Sequence, residues 1–418
     1  MTTATSANAA FSPIERLLRI SGAYDDKKAD VQTTAHECHF TKDGRILIPK
    51  RPKQVPSLAT AFFSTMPSGD RMEWLPTPIK TEGLDGLAQT SFPFTITKQA
   101  KSQLVAKLFE HKSNPLARGS IYLRHPHLPN ELFGKNMEYW REHYRGRNPE
   151  WLVRIYESTV RGVLTAGYPI FQNSTFLQTV NEFSQDLIYR VKRSYVDADS
   201  MYVKMLWSPQ NTGFNSPYWD TKHPDSHPYQ VGVACVNNEI GGGKIKILPL
   251  IQRTLCDNSI VVAGEGWEQS HNLRSGREGF ETPVEYIRAE VKLNLTLVFA
   301  TSQELLDEIL RAETDAIPSP AEAIQALSRS RGYSEEVRNL IFIGTELEDP
   351  AQPSHRMSIV NGLSSAGKVM AQRGNHAAAY GLETAAGTVL TQPDELDRWI
   401  RDGLARKRER EEAEFEIL

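Results

Sequence analysis

Cysteine is almost absent from this chain of 418 residues. Cys38, Cys235 and Cys256 are too few for a disulfide framework, and without a Cys-x-x-Cys pair no zinc ribbon is expected. A reducing compartment fits that usage. Long apolar runs are missing too: none approaches the roughly 18 to 20 residues that cross a bilayer. The start, MTTATSANAAFSP, lacks the basic segment and apolar core of a signal peptide, so the expected address is cytoplasmic, with no membrane partner. There is no G-x-S-x-G elbow, H-E-x-x-H helix or paired-carboxylate motif. An enzyme is therefore the less expected class, and no cofactor is expected. A net charge of −3 gives no global argument for nucleic acid.

The chain does have 39% hydrophobic residues, enough for a real core. Its charge is uneven: residues 1–130 hold 17 Lys and Arg against 11 Asp and Glu, and residues 303–418 hold 13 against 21. A basic front and an acidic back suit a nucleic-acid face or contact between subunits, and are equally common on plain solvated surfaces. The run VGVACVNNEIGGGKIKILPLIQRTLCDNSIVV, from Val231, reads as strand, turn and strand. Val231–Val236 suits a strand buried on both faces, and Asn237–Gly243 a reversal. In Lys244-Ile245-Lys246-Ile247 the isoleucines should face a core and the lysines the opposite, wet face.

The expected class is α+β, with central antiparallel β-hairpins packed with helices and a helical C-terminal region. Residues 1–95, rich in Pro, Thr and Ser, read as an irregular arm with a possible hairpin at Lys42-Asp43-Gly44. Residues 96–280 read as an α+β core, 281–392 as helical, and 393–418 as a charged terminal helix or tail. Thr282-Pro283-Val284-Glu285 and Ser319-Pro320-Ala321-Glu322 are two capping-box helix starts. Period-two alternation at Leu293, Leu295, Leu297 and Phe299 competes with the helix expected there. The stripe Leu396, Trp399, Ile400 and Leu404 on the last helix calls for a partner surface, either on a neighbouring subunit or within its own.

Gly362-Leu363-Ser364-Ser365-Ala366-Gly367-Lys368 has the spacing of a phosphate-binding loop. Val369 stands where Ser or Thr would hold magnesium, and the setting is helical, so ATP binding is not expected. His36, Cys38 and His39, His125 with His127, and His223 with His227 read as scattered loop residues rather than a metal site. Basic residues interleave with aromatics in Tyr139–Arg147 and in Tyr189–Tyr195, the pattern by which single strands are held through phosphates and stacked bases. The candidate nucleic-acid contacts are Lys244, Lys246, Arg154, Arg161, Arg190, Lys192, Arg193 and Arg253, with Tyr195 and Trp219 for stacking. Arg253 and Glu239 have a competing reading as a buried structural pair.

WLVRIYESTVRGVLTAGYPIFQN, with Arg161 and Tyr168, and VGVACVNNEIGGGKIKILPLIQRTLCDN, with Asn237, Asn238, Glu239, Gly241, Arg253, Cys256 and Asn258, resemble the motifs of the phage/plasmid-like protein family, an uncharacterised domain of phages and mobile elements. Asn238 departs from the family's serine and Ser259 from its glycine. SIVNGLSSAGKVM is similar to the family's C-terminal helix. The resemblance implies a phage, prophage or plasmid setting beside replication or recombination, and no catalytic residues. The expected function is a non-enzymatic single-stranded DNA-binding or strand-annealing protein working as a homo-oligomer. A phage structural, assembly or anti-defence interaction protein is the alternative, and a metal-dependent nuclease comes third.

Overall fold

A computed structural model describes residues 12–54, 76, 79–82, 88–109, 134, 137–138, 150–185, 187, 189–207, 229–253, 258–262, 266–271, 279–317, 319–348 and 355–417. The chain is α+β, built from two sheets and a helical C-terminal region.

The first sheet has the order β2 (His39–Phe40), β3 (Ile46–Ile48), β6 (Ala88–Ile96), β8 (Thr159–Thr165), β7 (Glu150–Tyr156), β1 (Lys28–Thr34) and β4 (Lys53–Gln54), with β5 (Ile79–Glu82) on β6. Its pairs are antiparallel except β6 with β8. Helix α1 (Pro13–Asp25) leads into β1, and α2 (Lys98–Phe109) packs on β8. The hairpin expected at Lys42-Asp43-Gly44 is the β2–β3 turn. The arm expected over residues 1–95 is instead partly the frame of this sheet, since β1 pairs with β7 from Lys28↔Tyr156 to Thr34↔Glu150. The sequence KADVQTT has no apolar run, and its partner lies more than a hundred residues away, so local pattern could not reveal it.

The second sheet is antiparallel, in the order β13 (Ser259–Val261), β12 (Ile245–Arg253), β11 (Tyr229–Asn238), β10 (Ser200–Trp207) and β9 (Tyr189–Val196), with β14 (Trp267–Gln269) also on β12. One face, with Val203, Met205, Val233, Ile245 and Ile247, packs against α1, α3 (Asn173–Ser184) and α4 (Pro283–Ala300). Ile245 and Ile247 are fully buried, as their alternation requires.

Helices α5 (Ser302–Thr314), α6 (Pro320–Arg331), α7 (Glu335–Glu348), α8 (Arg356–Gln372), α9 (His376–Thr391) and α10 (Pro393–Ile417) follow. The Leu293–Phe299 alternation lies inside α4, because Thr282 and Glu285 close a reciprocal capping box and Pro283 starts the helix. Ser319 precedes α6 without a side-chain cap bond. Gly362–Lys368 sits within α8, where backbone N–H groups are committed to the helix rather than open to a phosphate. The stripe on α10 is covered by its own chain: Leu396 and Trp399 are buried, α10 packs along α6, and the Arg331 guanidinium lies 4.7 Å from the Trp399 ring centre. Leu404 stays exposed. Among the described residues no helix is long and apolar enough to cross a membrane.

The second sheet is covered on its other face as well. Helix α9 crosses there, with Tyr380 against the cluster of Tyr202, Leu206, Ala234, Leu248, Leu250 and Val261. At Gly387 a Cβ would stand 2.0 Å from the Val261 carbonyl oxygen, whereas at Gly381 it would meet nothing within 4 Å. Gly387→Ala should therefore cost about 1–3 kcal/mol through overpacking. Gly381→Ala should gain up to about 1 kcal/mol from helix propensity. Urea unfolding of the two variants checks this opposite pair of signs.

Candidate functional site

The residues that carry the strongest sequence motifs converge at the junction of the two sheets. Strand β11 ends in a turn fixed by Asn238, whose Oδ1 accepts from the N–H groups of Ile240 (3.2 Å) and Gly242 (2.7 Å). That turn directs Glu239, fully buried, back toward the first sheet. Lys28 Nζ of β1 lies 2.9 Å from Glu239 Oε1 and 2.7 Å from Asp25 Oδ1 of α1. Arg161 Nη2 of β8 donates to Glu239 Oε2 at 3.0 Å, and Arg154 Nη1 of β7 donates to the Glu239 carbonyl at 2.7 Å. Arg154 Nε also reaches Asp30 at 3.1 Å, and Arg161 Nη1 reaches Asp199 at 3.3 Å.

The same carboxylate caps a helix. Gln172 at the N-cap of α3 makes no side-chain cap bond, and Asn173 N–H donates instead to Glu239 Oε1 at 2.7 Å. Asn237 Nδ2 completes the corner with bonds of 2.9 Å to the Phe171 carbonyl and to Asn173 Oδ1. Burial alone would raise the Glu239 pKa, but Lys28, Arg161, Arg154 and the Asn173 N–H together hold it at about 2. Burial raises Asp25, with Lys28 opposing, and raises Asp199 against Arg161.

Beside this cluster His271 stacks on Tyr168, ring centres 5.2 Å apart, and both are buried. Burial and then the Arg154 charge lower the His271 pKa to about 4, so the ring is neutral at neutral pH.

This geometry corrects two candidate contacts. Arg154 and Arg161 are 0% and 2% exposed and serve Glu239, so neither offers a charge to DNA. In an alternating strand an inward arginine and an outward one look alike until the facing element is known. The buried partner of Glu239 is likewise not Arg253, which sits half-buried at the end of β12, opposite Tyr229. Sequence reasoning misses Lys28, Asp25, Asp30 and His271. One signal is available nearby, because Ser12-Pro13-Ile14-Glu15 has the same form as the capping box at Thr282 and closes one on α1.

The other candidates scatter over the second sheet. Lys244 and Lys246 share Glu268, at 2.9 and 2.6 Å, and Lys246 Nζ lies 5.6 Å from the Tyr380 ring centre. Lys244 is exposed, as the alternation predicts, whereas Lys246 is partly roofed by α9. Deeper under α9, Lys204 and Tyr202 both bond Glu383, the tyrosine at 2.8 Å. Tyr195 stacks on exposed His376 at 4.7 Å, at the start of α9. Arg190 is exposed on β9 and bonds Gln230, and Lys192 is half-buried on the same strand. The Arg193 side chain, Trp219, Cys256, the Tyr139–Arg147 run and the histidines at 125, 127, 223 and 227 lie outside the described residues. Among the described residues no three His, Cys, Asp or Glu side chains group as a metal site; His39 instead pairs with Glu138 at 3.2 Å.

No protein-family model, curated protein or solved structure matches the chain. The resemblance to the phage/plasmid-like family rests on its quoted motifs alone.

The junction should make stability acid-sensitive. Glu239 has a folded pKa below its unfolded value, so its contribution is complete above about pH 4.5 and is lost as pH falls toward 2. His271 has a folded pKa near 4 against about 6.5 unfolded, so its protonation opposes folding as pH falls through that interval. Asp25, raised, offsets part of the loss. Glu239→Gln should cost about 3–5 kcal/mol at neutral pH, because Lys28, Arg154 and Arg161 lose the buried carboxylate they share and each keeps only one other. His271→Phe should flatten the pH 6.5 to 4 limb. Urea midpoints between pH 7 and 3 check both.

Proposed function

We propose that the chain is a non-catalytic protein that holds single-stranded DNA along the β9 edge of the second sheet, in the service of a phage or mobile element. The observation that carries this reading is β9. It is the terminal strand of its sheet and presents Arg190 and Lys192 on the side where Tyr195 meets His376. Arg193 follows in the sequence. Helix α1, which packs against β9, exposes Arg16 and Arg19. A basic edge with an aromatic at its end suits an extended strand: cations neutralise phosphates and release counterions, and rings stack bases. The mobile-element setting comes only from the motif resemblance.

Strand annealing further requires a homo-oligomer, so that many weak phosphate contacts act together. The buried side of α10 does not supply that interface. Leu293 and Leu297, one turn apart on α4 and about half exposed, are the better candidates. The same pair favours a second reading, an assembly or host-interaction protein that binds protein rather than DNA.

Arg190→Gln with Lys192→Gln should weaken single-strand binding and reduce the log–log salt slope by about 0.7 for each phosphate no longer neutralised. Lys244→Gln with Lys246→Gln, whose charges already face Glu268, should change it less. An unaltered slope in the folded Arg190 and Lys192 variant defeats the edge as the DNA surface. A single-chain mass at micromolar concentration, with and without DNA, removes annealing.

A further inference from the structure

Beside the basic edge, the N-terminus of α1, the last turn of α3 and the first residue of β9 border an open hollow of about 480 Å³. That volume lies within the range of sites for small organic rings. Tyr189 and Leu187 supply apolar walls, and Asn181 and Gln185 supply amides one helical turn apart. The Tyr189 ring packs against the main core, with Ser12 beside its hydroxyl. Ser184 is also on the wall, 1% exposed, and its hydroxyl has no hydrogen-bond partner among the described residues. That oxygen is closed off behind the wall, so a small movement of the α3 end would bring it to the hollow.

The charges around the hollow select what can enter. Glu15 lines it as well, with one carboxylate oxygen accepting from Ser12 N–H at 2.6 Å, and the carbonyl end of α3 adds negative potential. A phosphate is disfavoured there. A neutral planar ring with N–H donors is favoured, since the Asn181 and Gln185 amides then meet its edge while Tyr189 offers a face.

We propose that the hollow takes one unstacked nucleobase of the bound strand, with preference for bases that carry an exocyclic amino group. This rests on the reading of β9 as a strand-binding edge: phosphates lie along Arg190 and Lys192, and one base turns in past Tyr189.

Fluorescence anisotropy of the full chain tests it with oligo-dC, oligo-dT and an abasic strand, each of roughly 20 nucleotides. Oligo-dC should bind about five- to 150-fold more tightly than the abasic strand, the range for one stacked base, with oligo-dT between. Tyr189→Leu, and separately Asn181→Ala with Gln185→Ala, should reduce that advantage to the part owed to stacking at Tyr195 and leave abasic binding unchanged. The amide variant changes solvent-reached side chains, so it keeps the test valid if Tyr189→Leu fails to fold. Equal binding of oligo-dC and the abasic strand, or an undiminished advantage in the amide variant, overturns the base site while the edge reading survives. Failure of every strand to bind overturns both.

Discussion

One buried carboxylate, Glu239, holds the architecture together. It lies on the second sheet's hairpin turn, its charge is met by Lys28 and Arg161 from the first sheet, and it caps α3. Arg154 binds its main-chain carbonyl and approaches the carboxylate at 3.5 Å. Removing so many charges from water is costly, and the arrangement stands on opposite charges set close together, although Arg154 Nη2, Arg161 Nε and Asp30 Oδ2 have no hydrogen-bond partner among the described residues. Removing Glu239 would leave Lys28, Arg154 and Arg161 each with a single carboxylate, Asp25, Asp30 and Asp199 respectively. The motifs resembling a mobile-element family, around Arg161, Tyr168, Asn237 and Glu239, thus mark the joint between the sheets rather than a surface.

That joint changes where function can reside. Two arginines that would extend a basic face are consumed inside, and Lys244 and Lys246 are partly neutralised by Glu268. Among the described residues β9 still presents Arg190 on the side of Tyr195, and α1 beside it exposes Arg16 and Arg19. Helix α1 serves both regions: Asp25 at its end enters the joint, and Ser12 at its start borders the hollow. Disturbing the joint would therefore also shift one wall of the proposed base site.

A second buried ion pair, Lys204 with Glu383, ties α9 to the outer face of the second sheet, and Tyr202 shares the carboxylate. Close approach of α9 at Gly387 lets this contact form. The helical region is thereby fastened over the sheet, which explains why Lys246 of β12 does not stand on an open face.

Strong local signals were enough for several elements. The β11–β12 hairpin follows from an apolar run, a turn and a period-two alternation, and the start of α4 from Thr282, Pro283 and Glu285. The helical setting of Gly362–Lys368 could also be read, because the hydroxyl and preceding strand that phosphate binding needs are missing. The strand β1 could not be read, since its stability comes from β7, far away in sequence, and not from its own residues. Nor could the fate of Arg154 and Arg161. A sequence states that a strand carries an arginine; only the packing of a second sheet against the first decided that its partner is Glu239 and not solvent or a phosphate. Burial of the α10 stripe was likewise settled by α6, because an amphipathic helix specifies that a face must be covered but not by what.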